Sequence, residues 1–389
     1  MAPVQSVRGI TFDVSPERYH VRSRLGQGAF GFVCAAYDVR AGHHVALKKI
    51  NDAFSDKRSV KYVLRELVLM KHFEENENIL SLLDVLVGST SPQDLYFTVE
   101  LMESDLQKIL HSKQPITGGH VQWIIYQILR GVKCLHSAKV LHRDLKPSNI
   151  LINANCDVKI GDLGLARGVD ASCSPLRKGM SADDAQAMAV DEMNDAHGDE
   201  PHAPLTDYVV TRWYRAPELL VGNDWYDEGV DMWSIGCILA ECLMRTVLFP
   251  GKDYLQQLRL IIYLIGKPTE LELARSIDNP AAADFIRALP SAPPTSLSLP
   301  IASRMPPGTD PNAIALLSSL LVFETSRRPS AREALEHAYL HELRGVNDEP
   351  DAPPADFAFE ASTATEADLR TRLWQEIAAF QPAEHMPRD

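Results

Sequence analysis

Residues 19–50 alternate apolar and polar positions, with Val21, Leu25, Phe32, Val33, Ala35, Tyr37, Val39, Val45 and Leu47 set among polar neighbours. A period of two places successive side chains on opposite faces of a pleated sheet. The stretch therefore predicts three strands, the third carrying Val45 and Leu47. From residue 58 to 73 the period changes: Val60, Val63, Leu64, Leu67 and Met70 form one helical stripe, and Glu66 lies off it. Asp94 to Leu106 reads as one more strand. Val121, Ile124, Ile125, Ile128, Val132 and Leu135 then recur at i, i+3, i+4 and i+7, an amphipathic helix of about five turns ending near Ser137 and Ala138. Asp231 to Leu239 is apolar on nearly every side, which marks a buried helix.

Toward the C-terminus, residues 290–311 are rich in Pro and Ser and read as surface loop. Ala313 to Leu321 and Ala331 to Leu340 return to helix, and Pro350 to Phe359 looks extended. Leu369, Leu373, Ile377 and Phe380 space as a terminal helix, with Thr363 and Glu366 as its capping box.

A chain of 389 residues exceeds what one compact core usually holds, so two lobes are expected, and 45% hydrophobic residues suffice to fill them. The formal net charge of -13 removes the broad basic footprint that nucleic-acid binding needs and disfavours anionic membranes. Basic peptides remain suitable partners. Six cysteines (Cys34, Cys134, Cys156, Cys173, Cys237, Cys242) contain no C-x-x-C pair, so reduced thiols are expected rather than a zinc site or a disulfide framework. Met1 to Val14 lacks the apolar core of a leader, and no run of ~18 apolar residues occurs. A soluble, intracellular protein is expected.

The densest chemistry lies in His142-Arg143-Asp144-Leu145-Lys146-Pro147-Ser148-Asn149, followed by Asp162-Leu163-Gly164. One short loop offers a carboxylate, an ammonium and an amide, with a second carboxylate close behind. Phosphoryl transfer from ATP to an alcohol needs that set: a base for the hydroxyl, a cation beside the moving phosphate and oxygen ligands for Mg²⁺. Asp144 is the candidate base, Lys146 the cation, and Asn149 and Asp162 the metal ligands. Alone, Asp-Leu-Gly is a common turn tripeptide; coupled to the loop it is specific. Gly26-Gln27-Gly28-Ala29-Phe30-Gly31-Phe32-Val33 lies between the first two strands, where glycines let backbone N–H groups reach phosphate oxygens. A dinucleotide-binding turn would need a helix next, whereas Phe32-Val33-Cys34-Ala35 continues as strand.

The spacing H-R-D-x-x-x-x-N then D-x-G resembles the catalytic loop and metal-binding segment of protein kinases. Val45-Ala46-Leu47-Lys48 and Ala216-Pro217-Glu218 resemble two further signatures of that family. Thr206-Asp207-Tyr208, running on through Arg212-Trp213-Tyr214-Arg215, looks like the T-x-Y lip of a mitogen-activated protein kinase. Leu248 to Tyr254 and Gly266 to Thr269 resemble the start of that family's insert after the buried helix. The resemblance extends from about residue 12 to Pro382.

What it implies is an α+β, bilobal protein kinase fold, with a small β-rich N-lobe carrying one main helix and a larger, mainly helical C-lobe. The kinase domain would span 19–340, as N-lobe 19–99, hinge 100–102 and C-lobe 103–340. Flanking it would be an N-terminal extension, 1–18, and a C-terminal extension, 341–389, packing back on the domain. ATP would meet Gly26, Gln27, Gly28, Ala29, Gly31, Val33 and Ala46. Lys48 would hold its phosphates while paired to Glu66, although a charged residue off a helical stripe is more often simply solvated. Val99 would occupy the gatekeeper position, where a small residue leaves a more open pocket. Glu100 and Met102 would offer hinge backbone to the adenine, and Asp105 would lie near the ribose. Asp231 would anchor the catalytic-loop backbone, and Arg328 would pair with Glu218.

The resemblance further implies activation by an upstream dual-specificity kinase that phosphorylates Thr206 and Tyr208. Arg65, Arg143 and Arg167 would gather the first phosphate, Arg212 and Arg215 the second. Val209 to Arg212 would accept the proline of Ser/Thr-Pro substrates. Asp348 and Glu349 resemble an acidic docking site for activators, phosphatases and substrates, weakened where Gly345 replaces one of its usual acids. A cytoplasmic monomer is expected, with nuclear entry an alternative that the sequence leaves open. Two departures stand out. Leu163 replaces the usual Phe of D-F-G, and residues 168–204 form a long insert with eight Asp or Glu against Arg177 and Lys178, a composition that predicts disorder. The insert is either a tolerated surface insertion or an acidic brake or docking tail competing for the activation arginines. Other readings of the whole chain are a cyclin-dependent-like kinase, disfavoured by the Thr-x-Tyr lip and the tail beyond 340, and a catalytically silent scaffold, disfavoured by intact Lys48, Asp144, Asn149 and Asp162.

Overall fold

The computed structural model describes residues 5–28, 31–168, 212–223, 226–290, 300–360 and 363–380. The chain divides into two units. One comprises Met1–Glu103, Gly161–Leu165 and Ala355–Asp389; the other comprises Ser104–Ile160 and Ala166–Pro354.

The first unit is built on an antiparallel five-stranded sheet of β3 (Tyr19–Gly28), β4 (Gly31–Asp38), β5 (His43–Ile50), β6 (Leu82–Val87) and β7 (Leu95–Glu100), in the order β3-β4-β5-β7-β6. A hairpin of β1 (Gln5–Val7) and β2 (Ile10–Phe12) precedes it, and Phe12, Val14, Tyr19, Cys34, Ala36, Val45, Leu47 and Tyr96 form a core on one face of the sheet. The predicted alternation fails at two positions, since Leu25 and Val39 are exposed. Register shifts between Val21, Arg24 and Gly26 break the two-residue period around Leu25, and Val39 lies just past the end of β4. The strand β6 is an addition to the expected elements: it is apolar on both faces, with Asp84 the one interruption. Asp84 is buried, accepting a hydrogen bond from Tyr19 Oη at 2.9 Å and pairing with Arg18 at 2.6 Å.

Helix α1 (Lys57–His72) starts where the Asp56 carboxylate accepts the Arg58 and Ser59 N–H groups, and it buries Val60, Val63, Leu64, Leu67 and Met70, the predicted stripe. The terminal helix of this unit, Glu366–Ala379, packs on α1 through Leu369 and Leu373. Trp374 stacks on Phe54 with ring centroids 4.9 Å apart. Its capping box is formed by Thr365 and Asp368, not by the expected Thr363 and Glu366. Both pairs have the spacing, but the helix begins at Glu366, so only Asp368 stands at the third position.

The second unit is mainly helical. Among the described residues its helices are α2 (Leu106–His111), α3 (Gly118–Ser137), α4 (Pro217–Leu220), α5 (Gly229–Met244), α6 (Tyr254–Ile265), α7 (Glu270–Ser276), α8 (Pro280–Ala288), α9 (Ile301–Arg304), α10 (Pro311–Leu320) and α11 (Ala331–Leu335). The two long ones, α3 and α5, carry the centre of one core, with Trp233 and Phe249 stacked at its heart. Proline at the first position sets where α10 begins, capped by Asp310 and two residues earlier than the apolar pattern shows. The expected surface loop 290–311 contains the short α9, and the expected helix to Leu340 stops at Leu335 before a 3₁₀ stretch at Ala338–Leu343. Small ladders position the chemistry: β9 (Val140–Leu141) pairs with β12 (Arg167–Gly168), and β10 (Ile150–Ile152) lies between β8 (Ser104–Asp105) and β11 (Val158–Ile160). Among the described residues no helix is long and apolar enough to cross a membrane.

Candidate active site

Candidate residues fall in both units. In the first, Gly28 and Gly31 oppose each other where β3 turns into β4, with Gly26 opposite Val33 and Gln27 opposite Phe32. A Cβ on Gly31 would lie 1.7 Å from the Lys49 carbonyl oxygen, so only glycine fits there. Ala29 lies outside the described residues. Lys48 stands on β5 between Val33 and Phe97, and its Nζ reaches Glu66 Oε1 at 2.6 Å. Glu66 is 3% exposed, so the solvated alternative is excluded. Burial would lower the Lys48 pKa, but the Glu66 and Asp162 carboxylates outweigh it and raise it, which keeps the ammonium charged. Val99 and Ala46 face each other across β7 and β5, both buried, and Glu100 and Met102 follow at the end of β7.

Asp162 adopts a left-handed backbone, φ 61°. Its Oδ1 is buried and has no hydrogen-bond partner. Such an atom is costly unless something positive meets it. Leu163 is buried in a 3₁₀ turn against α1, and a Cβ on Gly164 would strike the Tyr62 ring. Arg65, one residue before Glu66, donates from Nη1 to the Gly164 carbonyl at 2.6 Å and from Nε to Glu360 Oε1 at 2.5 Å. Glu360 escaped the sequence reading, because 295 residues separate the pair and no local spacing signals it.

In the second unit, the His142 and Arg143 N–H groups donate to Asp231 at 2.9 and 2.8 Å, and His136 Nε2 lies 2.9 Å from the same carboxylate. Asp231 is fully buried, which would raise its pKa. The hydrogen bond and charge of His136, with His142 and the Arg143 amide, reverse that and hold it low. This anchor fixes Arg143 in a left-handed conformation, φ 67°, at the turn that presents Asp144. Lys146 Nζ lies 2.9 Å from Asp144 Oδ2. Asn149 Nδ2 donates to the Asp144 carbonyl at 2.9 Å and to its Oδ2 at 3.2 Å. With its nitrogen so committed, Asn149 has its carbonyl oxygen to offer a cation. Asp105 caps α2, accepting from the Lys108 N–H at 2.8 Å and pairing with Lys108 Nζ at 2.7 Å.

Arg212 and Arg215 are buried and converge on Tyr254, the first 5.3 Å from its ring centroid and the second donating to its hydroxyl at 2.9 Å. Arg143 donates to the Tyr226 hydroxyl at 2.5 Å, and Arg167 lies on β12, paired with Leu141 just ahead of the His142 loop. Thr206, Tyr208 and all of the acidic insert beyond Gly168 lie outside the described residues. Glu218 and Arg328 form a buried bidentate pair at 2.6 and 2.9 Å. The Asp348 and Glu349 carbonyls accept hydrogen bonds from Arg130 and Lys133, whose partner Asp351 also pairs with Arg332.

Within the first unit, the buried and partnerless Asp162 Oδ1 suits a metal ion and the charged Lys48 ammonium suits a phosphate. Within the second, Asn149 keeps a carbonyl oxygen suited to a metal ion. Among the described residues no group of three His, Cys, Asp or Glu side chains could hold a metal ion.

A family model of the protein kinase domain matches residues 19–340. The chain is 40% identical over 383 residues to mitogen-activated protein kinase homolog MMK2 of Medicago sativa, covering 97% of this chain and 92% of that protein. It is 41% identical to mitogen-activated protein kinase 6 of Oryza sativa subsp. japonica, over 97% of this chain and 91% of that one. To mitogen-activated protein kinase mpkA of Aspergillus fumigatus it is 41% identical, over 94% and 79% of the respective chains.

Proposed function

The chain belongs to the mitogen-activated protein kinases, serine/threonine protein kinases that use ATP and a divalent cation, and from that premise we propose that it is proline-directed and switched on by phosphorylation of Thr206 and Tyr208. The observation that carries the catalytic part is the Asp144 carboxylate held by Lys146 at 2.9 Å and by Asn149. Asp144 accepts the proton of the substrate hydroxyl, and Lys146 offsets negative charge on the phosphoryl group in flight. Lys48, oriented by Glu66, holds the nucleotide phosphates. Asn149 and Asp162 would hold Mg²⁺, which when bound neutralises charge on the β- and γ-phosphates.

Arg65, Arg143, Arg167, Arg212 and Arg215 receive the two activating phosphates, each of which brings roughly -1.5 to -2 charge and strong acceptor oxygens. Arg65 links α1 to the Asp162-Leu163-Gly164 turn, so recruiting it would bear on both the Lys48–Glu66 pair and the metal ligand. Upstream kinases and protein substrates follow from the family in general. Exposed Asp348 and partly exposed Glu349 supply a docking site for basic motifs, including those of phosphatases, and the protein acts in the cytoplasm. After treatment with an upstream dual-specificity kinase, wild-type protein should phosphorylate a Ser-Pro peptide and leave its Ser-Ala counterpart. T206A and Y208F should stay near basal activity. Full activity in both variants would overturn the switch, and equal rates on the two peptides would overturn the specificity.

A further inference from the structure

The first unit contains a charge latch that takes no part in the catalytic geometry. Asp13, just after β2, is 8% exposed and accepts four hydrogen bonds from one loop. These come from Ser89 Oγ at 2.6 Å, the Thr90 N–H, Thr90 Oγ1 at 2.8 Å and the Ser91 N–H at 3.2 Å. The loop is wrapped closely: a Cβ on Gly88 would lie 2.4 Å from the Ser91 carbonyl and 3.2 Å from Asp13 Oδ2. On its other side the Asp13 N–H donates to Tyr96 Oη at 2.9 Å. One carboxylate therefore ties the β1–β2 hairpin to the β6–β7 loop, over the core that includes Phe12 and Leu47. Leu47 and Lys48 are adjacent on a strand, so the hairpin covers the sheet face opposite the nucleotide lysine.

Ser91 is followed by Pro92, the dipeptide that a proline-directed kinase reads, and the loop is at the surface, with Ser89, Thr90, Pro92 and Gln93 exposed and Ser91 half-buried. We propose that Ser91 is a phosphorylation site for a second copy of this enzyme, and that its phosphate releases the N-terminal hairpin. The site rests on the proline-directed reading given above. In the transfer, Ser91 Oγ bonds to the γ-phosphorus of ATP as the bond from that phosphorus to the bridging oxygen breaks, ADP leaves, and the hydroxyl proton passes to Asp144 of the second copy. The product places roughly two negative charges on the residue whose N–H now binds the Asp13 carboxylate. Asp94, whose N–H donates to the Ser91 carbonyl, adds a second carboxylate, and Lys49 is already paired to it at 2.9 Å. Repulsion therefore falls on the Asp13 contacts.

The test uses full-length D144N protein, which turns over too slowly to label itself, as substrate for dually phosphorylated enzyme carrying S91A with Mg-ATP, and a Ser-Pro peptide in the same reaction. Phosphosites are mapped by mass spectrometry and hydrogen exchange is followed across residues 5–14. Phosphate at Ser91, lost in an S91A background, together with faster exchange over 5–14, is the expected result. The D13N variant should speed the same exchange with no phosphate present, and unchanged exchange there would overturn the latch. A labelled peptide with unlabelled Ser91 overturns the site and leaves the specificity standing. Neither labelled overturns both. Phosphate at Ser91 with unchanged exchange overturns the release.

Discussion

Asp231 shows how much one buried carboxylate can organise. It is fully buried, yet it accepts the two N–H groups that shape the turn before Asp144, with His136 beside it. Its pKa is lowered in the fold, so it contributes stability that is present above the ordinary carboxylate pKa of 3.8 and is lost as pH falls through the lower folded value. The D231N variant should lose about 2–4 kcal/mol in urea denaturation at pH 7 and most of its turnover, because the amide cannot accept both bonds as a charged group does. Glu241 behaves in the opposite sense. Burial pushes its carboxyl up, only partly offset by the Tyr214 hydroxyl at 2.5 Å and by His111. The folded protein then holds this proton more tightly than the unfolded chain, and stability declines as pH rises from 4.5 through the raised value. E241Q has no proton to lose, so thermal unfolding should show it gaining on wild type above that window and matching it below pH 4.5.

At the scale of elements, α1 joins three otherwise separate pieces of sequence. Glu66 pairs with Lys48 on β5, Arg65 holds the Gly164 carbonyl and Glu360, and Leu369 and Leu373 of the terminal helix pack along it. Truncating a fully buried anchor of that helix, L373A, should cost about 2–5 kcal/mol and lower the midpoint of chemical unfolding. The buried Glu218–Arg328 pair plays a like part in the other unit, tying α4 to the segment before α11. E218A should cost about 3–5 kcal/mol by leaving a buried guanidinium without its counter-charge. The helices were legible from the sequence because their apolar spacing is regular over several turns, as in Val60 to Met70 and Val121 to Leu135. What escaped was set by pairing across long separations or by local competition. The strand β6 needed its neighbours to be recognised, Glu360 needed a partner in α1, and the choice of Thr365 over Thr363 depended on where the last helix begins.

For the whole molecule, residues that the sequence grouped by short spacing are found in contact, Lys48 with Glu66 and Asp144 with Lys146 and Asn149, and their catalytic roles belong to the proposed function. Asp105 takes on a structural duty as a helix cap that spacing alone did not reveal. In the proposed function Asp144 is the base of a kinase whose nucleotide is held by other residues. The direct measurement is phosphate transfer from ATP to a Ser-Pro peptide by activated wild-type and D144N proteins, with nucleotide affinity measured in parallel. Turnover in D144N should fall by about 10²–10⁴-fold while nucleotide affinity stays within a few-fold of wild type. Wild-type-like turnover in D144N would contradict the assignment.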